Sequence, residues 1–164
     1  MNPHHKYKTV NTFVFDVDGV LTNGNLLATD HNGLVREMNT RDGYALKMAL
    51  SAGYNVCIIT GGASQGVELR LSKIGIKDIY LGIMNKLPVL EKYMAAKNLQ
   101  SENIMFMGDD LPDLECMLAI KYRSCPKDAS HDIKKICDYI SPIEGGRGCV
   151  RDVIEKIMRV QGKW

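Results

Sequence analysis

Two aspartates two residues apart, Asp16 and Asp18, close an apolar run, Phe13-Val14-Phe15, and lead directly into Gly19. Three later stretches carry matching chemistry. Thr60-Gly61-Gly62 follows the apolar Val56 to Ile59, Lys86 stands just before Leu87-Pro88, and Gly108-Asp109-Asp110-Leu111-Pro112-Asp113 follows Ile104 to Met107. On their own, Asp16 and Asp18 also fit a bare strand followed by an Asp-Gly turn. The other three stretches decide between the readings. Carboxylates gathered at one place repel one another and take up protons unless a cation joins them. Hard oxygen ligands with room for water and phosphate suit Mg²⁺. A lysine and a glycine-rich turn suit phosphate oxygens.

These residues converge only if the elements behind them are parallel strands. A strand buried on both faces reads as an unbroken apolar run, so residues 9 to 15 form the first strand, with both acids at its end. Further strands are expected at Asn55 to Ile59, Asp78 to Leu81, Ile104 to Met107 and Tyr122 to Cys125. Helices are expected at Tyr44 to Ser51, with Asp42 as cap, and at Ser64 to Ile74, with Ser64 as N-cap and Gly75 as C-cap. Others open at Lys86, with Pro88 in the first turn, and cover Leu114 to Ala119 and Val150 to Val160, while Ile133 to Tyr139 packs beyond the fifth strand. Asn25 to Ala28 and Leu34 to Asn39, flanking a loop that ends in Gly33, read as a β-hairpin that must pack against something. Alternating strands and helices predict an α/β fold, a parallel sheet covered on both faces, in a single domain over residues 1–164. In such a sheet ligands bind at the carboxyl ends of the strands, and the acids, Thr60 and Lys86 all belong to that edge.

Composition excludes several alternatives. Of the 164 residues, 45% are hydrophobic and 24% charged, as in an ordinary globular domain, and the net charge of +2 gives no field for nucleic acid or membrane. No apolar stretch is long enough to span a bilayer, and the N-terminal residues lack the apolar core of a signal peptide, so a cytoplasmic location is expected. The five cysteines form no CxxC pair, which argues against zinc, and Cys57 and Cys116 read as core residues. His4-His5, His31 and His131 are assigned no catalytic part.

In order and placement, Asp16-Val17-Asp18-Gly19-Val20, Ile59-Thr60-Gly61, Lys86 and Gly108-Asp109-Asp110-Leu111-Pro112-Asp113 resemble the four motifs of the haloacid dehalogenase-like phosphatases. The resemblance implies a Rossmann-like sheet and an aspartyl-phosphate mechanism. By it, Asp16 is the nucleophile and Asp18 the general acid and base. Thr60 and Lys86 hold the phosphoryl group, with Gly61 beside them. Asp16, the Asp18 carbonyl and Asp109 hold Mg²⁺, supported by Asp110 and Asp113. The short gaps between motifs leave no room for a cap domain.

The hairpin, Asn39-Thr40-Arg41-Asp42-Gly43-Tyr44 and Gly145-Gly146-Arg147-Gly148 resemble the capless 3-deoxy-D-manno-octulosonate 8-phosphate phosphatases over nearly the whole chain. That resemblance implies a role in lipopolysaccharide precursor synthesis. It also implies homotetramers in which the hairpins pack together and neighbours complete each site, with Arg70 and Lys73 reaching an adjacent subunit's substrate. Arg41 and Asp42 are expected to meet the sugar, and the glycine tail to fold over the site. Two other readings stay open: the same chemistry on a nine-carbon sialic-acid-type sugar phosphate, and a non-catalytic oligomerisation module. Two positions depart from the pattern: Gly62 lacks a side chain where relatives often carry a polar one, and Tyr122-Arg123 is polar for a sheet strand.

Overall fold

The computed structural model describes residues 6–30 and 33–164; the expectations for His4, His5 and His31 lie outside them. Six parallel strands form one sheet: β1 (Thr12–Phe15), β4 (Asn55–Ile59), β5 (Asp78–Tyr80), β6 (Ile104–Met107), β7 (Tyr122–Cys125) and β8 (Tyr139–Ile140). Their order is β5-β4-β1-β6-β7-β8, so the chain reverses direction across the sheet beside β1. In register, Phe15 of β1 sits opposite Ile58 of β4 and Met107 of β6. Asp16, Thr60 and Asp109 therefore leave the sheet side by side.

Alternate residues of the central strands feed two cores. Phe13 and Phe15, with Val56, Ile58, Met105 and Met107, pack against α1 (Thr40–Ser51) and α6 (Cys149–Val160) through residues such as Leu46, Val153 and Ile157. Val14, Ile59 and Phe106 face α3 (Leu87–Lys97), α4 (Leu114–Ala119) and α5 (His131–Ile136) through Leu90, Cys116 and Ile133. Cys57 and Cys116 are fully buried, as core residues. The chain's first and last helices thus share one layer, and Gln161 fastens that layer to the start of the sheet. Its Nε2 donates to the Tyr7 and Val10 carbonyls at 2.8 and 2.7 Å, and its Oε1 accepts from the Tyr54 hydroxyl at 2.7 Å.

α2 (Gln65–Ile74) starts at Ser64, whose hydroxyl accepts from the Val67 amide, and ends at Gly75 in the left-handed region, φ 111°. Pro88 sits in the first turn of α3. Between β1 and β4 the described residues hold only α1 and a hairpin, β2 (Leu27–Ala28) paired antiparallel with β3 (Leu34–Val35), so no cap domain stands there. The hairpin strands are two residues each, shorter than the expected segments.

Two of the expected elements are corrected. Asp42 does not cap α1: the helix begins at Thr40, Asn39 Oδ1 accepts from the Arg41 amide at 2.8 Å, and Asp42 lies buried within the first turn. The Asp42 carboxylate instead turns to α6 and accepts from the Arg151 amide at 2.8 Å, capping one helix from another. α5 stops at Ile136, and the chain beyond it forms an eighth strand, because Tyr139 and Ile140 pair with Ser124 and Cys125. The polar Arg123 fits β7 because this end of the sheet is open enough for it to meet Asp138, Nε to Oδ2 at 3.3 Å.

Candidate active site

The loop after β1 winds tightly so that both acids project past the sheet. The Thr22 amide closes it on the Val17 carbonyl at 3.0 Å, and Gly19 takes φ 86°, which other residues adopt only with strain. A Cβ at Gly19 would also collide with the Asp109 carboxylate. Asp109 therefore lies directly against the Asp18–Gly19 backbone. From behind, the glycine tail supports this loop. The Gly146 amide donates to the Val20 carbonyl at 2.9 Å, and a Cβ at Gly145 would strike the Gly19 carbonyl. The expected cover over the site is thus a buttress beneath its loop.

Asp16, Asp18, Thr60, Gly61, Lys86, Asp109, Asp110 and Asp113 line one cavity of about 390 Å³. Asp16 Oδ1 accepts from the Val17 amide at 2.6 Å, and Oδ2 meets Lys86 Nζ at 2.9 Å. The same ammonium lies 2.7 Å from Asp113 Oδ1, while Asp113 Oδ2 accepts from the Asp109 amide at 3.1 Å. Thr60 Oγ1 accepts from the Gly62 amide at 3.3 Å, which leaves its hydroxyl proton free to donate. Asp110 is exposed at the rim and accepts from the Leu111 amide.

Carboxylates Asp16, Asp109 and Asp113 each offer an oxygen within 4.8 Å of the others. Burial, then the charges of Asp16, Asp113 and Asp110, pushes the Asp109 carboxyl up to about 8. Burial and Asp16 likewise push Asp113 up to about 6, outweighing its 2.7 Å pairing with Lys86. On Lys86 burial alone would lower the ammonium, but Asp113 and Asp16 together raise it. One lysine thus leaves the carboxylates short of positive charge, a deficit that a hard divalent ion relieves. The Asp16 and Asp113 oxygens each have one partner and can accept another, so all three carboxylates can turn an oxygen to such an ion, with the Asp18–Gly19 backbone beside Asp109. An ammonium, a hydroxyl and a glycine turn across the cavity suit an anionic tetrahedral group.

Other expected residues lie elsewhere. Arg70 lines a neighbouring cavity, between the hairpin and the start of α2, with its guanidinium against Gly43 of α1. Lys73, exposed in the last turn of α2, lines neither cavity. Arg41 lines a third, with Arg147 and Arg151, on the α6 side, and Asp42 is buried against α6, so neither meets this site within the subunit. One residue that sequence reasoning missed stands at the cavity's edge: Arg36, just beyond β3, grips Asp18 with Nε at 2.7 Å and Nη2 at 2.9 Å. The only trace of it in the sequence is the bare Gly62, whose missing side chain leaves space for that guanidinium.

Comparison with known proteins agrees on one family. Residues 72–148 match the family model described as haloacid dehalogenase-like hydrolase. The 3-deoxy-D-manno-octulosonate 8-phosphate phosphatase of Salmonella typhimurium is 33% identical over 99% of this chain and 88% of its own length. That of Escherichia coli K12 is 34% identical over 96% of this chain and 84% of its own. Among solved structures, the Yersinia pestis enzyme of that name superposes with a TM-score of 0.94 at 29% identity, over 98% of this chain and 86% of the other. The Moraxella catarrhalis enzyme, solved with a magnesium ion, a phosphate ion and a KDO molecule, gives 0.93 at 29% identity, over 97% and 91%.

Proposed function

The chain belongs to the haloacid dehalogenase-like hydrolases and is a phosphatase, and from that premise we propose that it hydrolyses 3-deoxy-D-manno-octulosonate 8-phosphate with Mg²⁺, through an aspartyl-phosphate. The observation that carries the reading is the cluster at the ends of β1, β4 and β6. There Asp16 is pinned by Lys86 at 2.9 Å, with Asp109 and Thr60 beside it.

In this reading Asp16 attacks phosphorus in line and the bond to the sugar oxygen breaks. The departing oxygen takes a proton from Asp18. Asp18 then removes a proton from water, whose oxygen attacks the same phosphorus, freeing phosphate and restoring Asp16. The Thr60 hydroxyl and Lys86 ammonium hold the transferring oxygens. Asp16, Asp109 and the Asp18 carbonyl hold Mg²⁺, which supplies positive charge to the phosphoryl oxygens. Asp113 positions Lys86 and the Asp109 backbone, and Asp110 shapes the rim.

Among the described residues the fold adds no cap over this cavity. Leu27, Leu34 and Val35 leave the hairpin 66%, 51% and 52% exposed, an apolar surface that a neighbouring subunit would cover in a homotetramer. No described helix is long and apolar enough to cross a membrane, and the reading places the enzyme in the cytoplasm, supplying lipopolysaccharide assembly. The test is steady-state kinetics with the eight-carbon and a nine-carbon sugar acid phosphate, with and without Mg²⁺, on wild type and Asp16→Asn. The expected result is Mg²⁺-dependent turnover, preference for the eight-carbon substrate and loss in the variant. Preference for the nine-carbon substrate overturns the substrate assignment, and activity indifferent to Mg²⁺ and to Asp16 overturns the mechanism.

A further inference from the structure

The cavity around Asp16 borders a second one across the Gly61-Gly62 turn. Gly61 and Gly62 line both, and the second, of about 960 Å³, carries two guanidinium groups, Arg36 and Arg70. Arg36 stands where the two meet, its side chain only 7% exposed. Its Nε donates to Asp18 Oδ1 at 2.7 Å, its Nη2 to Oδ2 at 2.9 Å and its Nη1 to the Leu34 carbonyl at 3.2 Å. The fork therefore occupies both oxygens of Asp18. While it does so, the carboxylate is held facing Arg36 and must turn from it to present an oxygen squarely to a leaving group or to a water.

Gly62 makes this grip possible. A Cβ there would lie 2.8 Å from Arg36 Nη2 and 3.1 Å from Asp18 Oδ2. A substrate reaching from one cavity into the other across Gly61 and Gly62 would hold its phosphate at Asp16 and its far end beside Arg36 and Arg70. A planar guanidinium fork matches a carboxylate in two parallel hydrogen bonds, where a lysine would offer only a point charge. We infer that Arg36 is a receptor for the substrate's carboxylate, and that it releases Asp18 to act only when that carboxylate takes Asp18's place on the fork. Turnover is thereby tied to the acid end of the substrate, which is how an uncapped site discriminates against ordinary sugar phosphates. The inference rests on the proposed part of Asp18 in phosphoryl transfer.

The test compares wild type, Arg36→Gln and Gly62→Ala, each checked for folding by thermal unfolding, in steady-state kinetics with Mg²⁺. The substrates are 3-deoxy-D-manno-octulosonate 8-phosphate and p-nitrophenyl phosphate, which lacks a carboxylate. In Arg36→Gln, kcat/KM for the sugar acid phosphate falls roughly 10- to 100-fold, as expected for losing a charged hydrogen-bond pair, mainly through KM. Turnover of p-nitrophenyl phosphate rises several-fold as Asp18 is freed. Gly62→Ala shifts both substrates the same way by displacing the fork, and it decides the matter if Arg36→Gln does not fold. An equal loss on both substrates overturns the inference, because Arg36 then only holds Asp18 in place; so does no change on either. A wild type that hydrolyses neither compound overturns the phosphatase reading itself.

Discussion

Replacing Lys86 by Met removes the cation between Asp16 and Asp113 while keeping most of the length of the side chain. The ammonium lies 2.9 Å from one carboxylate and 2.7 Å from the other, and its side chain is 3% exposed. Breaking a buried, hydrogen-bonded ion pair from one side costs about 3–5 kcal/mol. For a chain of this size, each kcal/mol moves Tm by about 2–4 °C, so Lys86→Met should melt roughly 6–20 °C lower at pH 8 without Mg²⁺. The loss should depend on pH in a defined direction. Asp109 and Asp113 already stand at about 8 and about 6, above the ordinary carboxyl value, so the folded state holds their protons more tightly than the unfolded chain. Their ionisation weighs against folding progressively as pH rises through those values, and most heavily once Lys86 is gone. At pH 5 both are largely protonated and the penalty shrinks. The assay is thermal unfolding of wild type and variant at pH 5 and pH 8. A difference under about 2 °C at pH 8, or one equal at both pH values, would refute the view that Lys86 acts by offsetting buried negative charge.

Mg²⁺ at a hundred times its Kd should stabilise the wild type by about 2.7 kcal/mol, a rise of roughly 5–10 °C in Tm. In a thermal-shift titration the rise should be larger at pH 8 than at pH 5 and lost in Asp109→Asn. Asp42, buried with Oδ2 unpartnered, is pushed up to about 6 by burial, so its contribution to stability is complete below its ordinary value near 4 and fades as pH climbs through 6. Urea unfolding should show wild type losing up to about 3 kcal/mol relative to Asp42→Asn between pH 4 and pH 8, and a gap that stays constant contradicts this. Gly145→Ala pushes backbone against the Gly19 carbonyl and, 3.0 Å away, the Thr22 carbonyl. Displacing the nucleophile loop should lower kcat about 10- to 100-fold, measured beside far-ultraviolet circular dichroism to confirm that the chain is folded.

The readable parts of this fold were those where one local feature sufficed. β1, β4 and β6 are continuous apolar runs because both their faces are covered, and each run stops at the residues that line the site. Ser64 and Gly75 carried their caps in their own chemistry. The features that stayed hidden depend on partners distant in the chain. Asp42 has the composition of a local cap, but its acceptor oxygen serves a helix more than a hundred residues later, at Arg151. Tyr139–Ile140 is a strand only because β7 offers its open edge. Arg36 reads as an ordinary charge on a partly apolar hairpin until Gly62 and Asp18 are seen around it. Gly145 and Gly146 read as a loop that folds over the site, whereas contact with residues 19–23 is what requires the absence of a side chain there.

The pairing of the first and last helices in one layer has a consequence for biosynthesis. A nascent chain emerging from the ribosome through residue 140 already holds every side chain assigned to phosphate and metal. It still lacks the buttress under the Gly19 turn, the apolar face that α1 rests on, and the Gln161 clasp on the opening strand. Contacts that span so much of the sequence form late and slowly. On this view translation runs through the last helix before the site loop is fully supported.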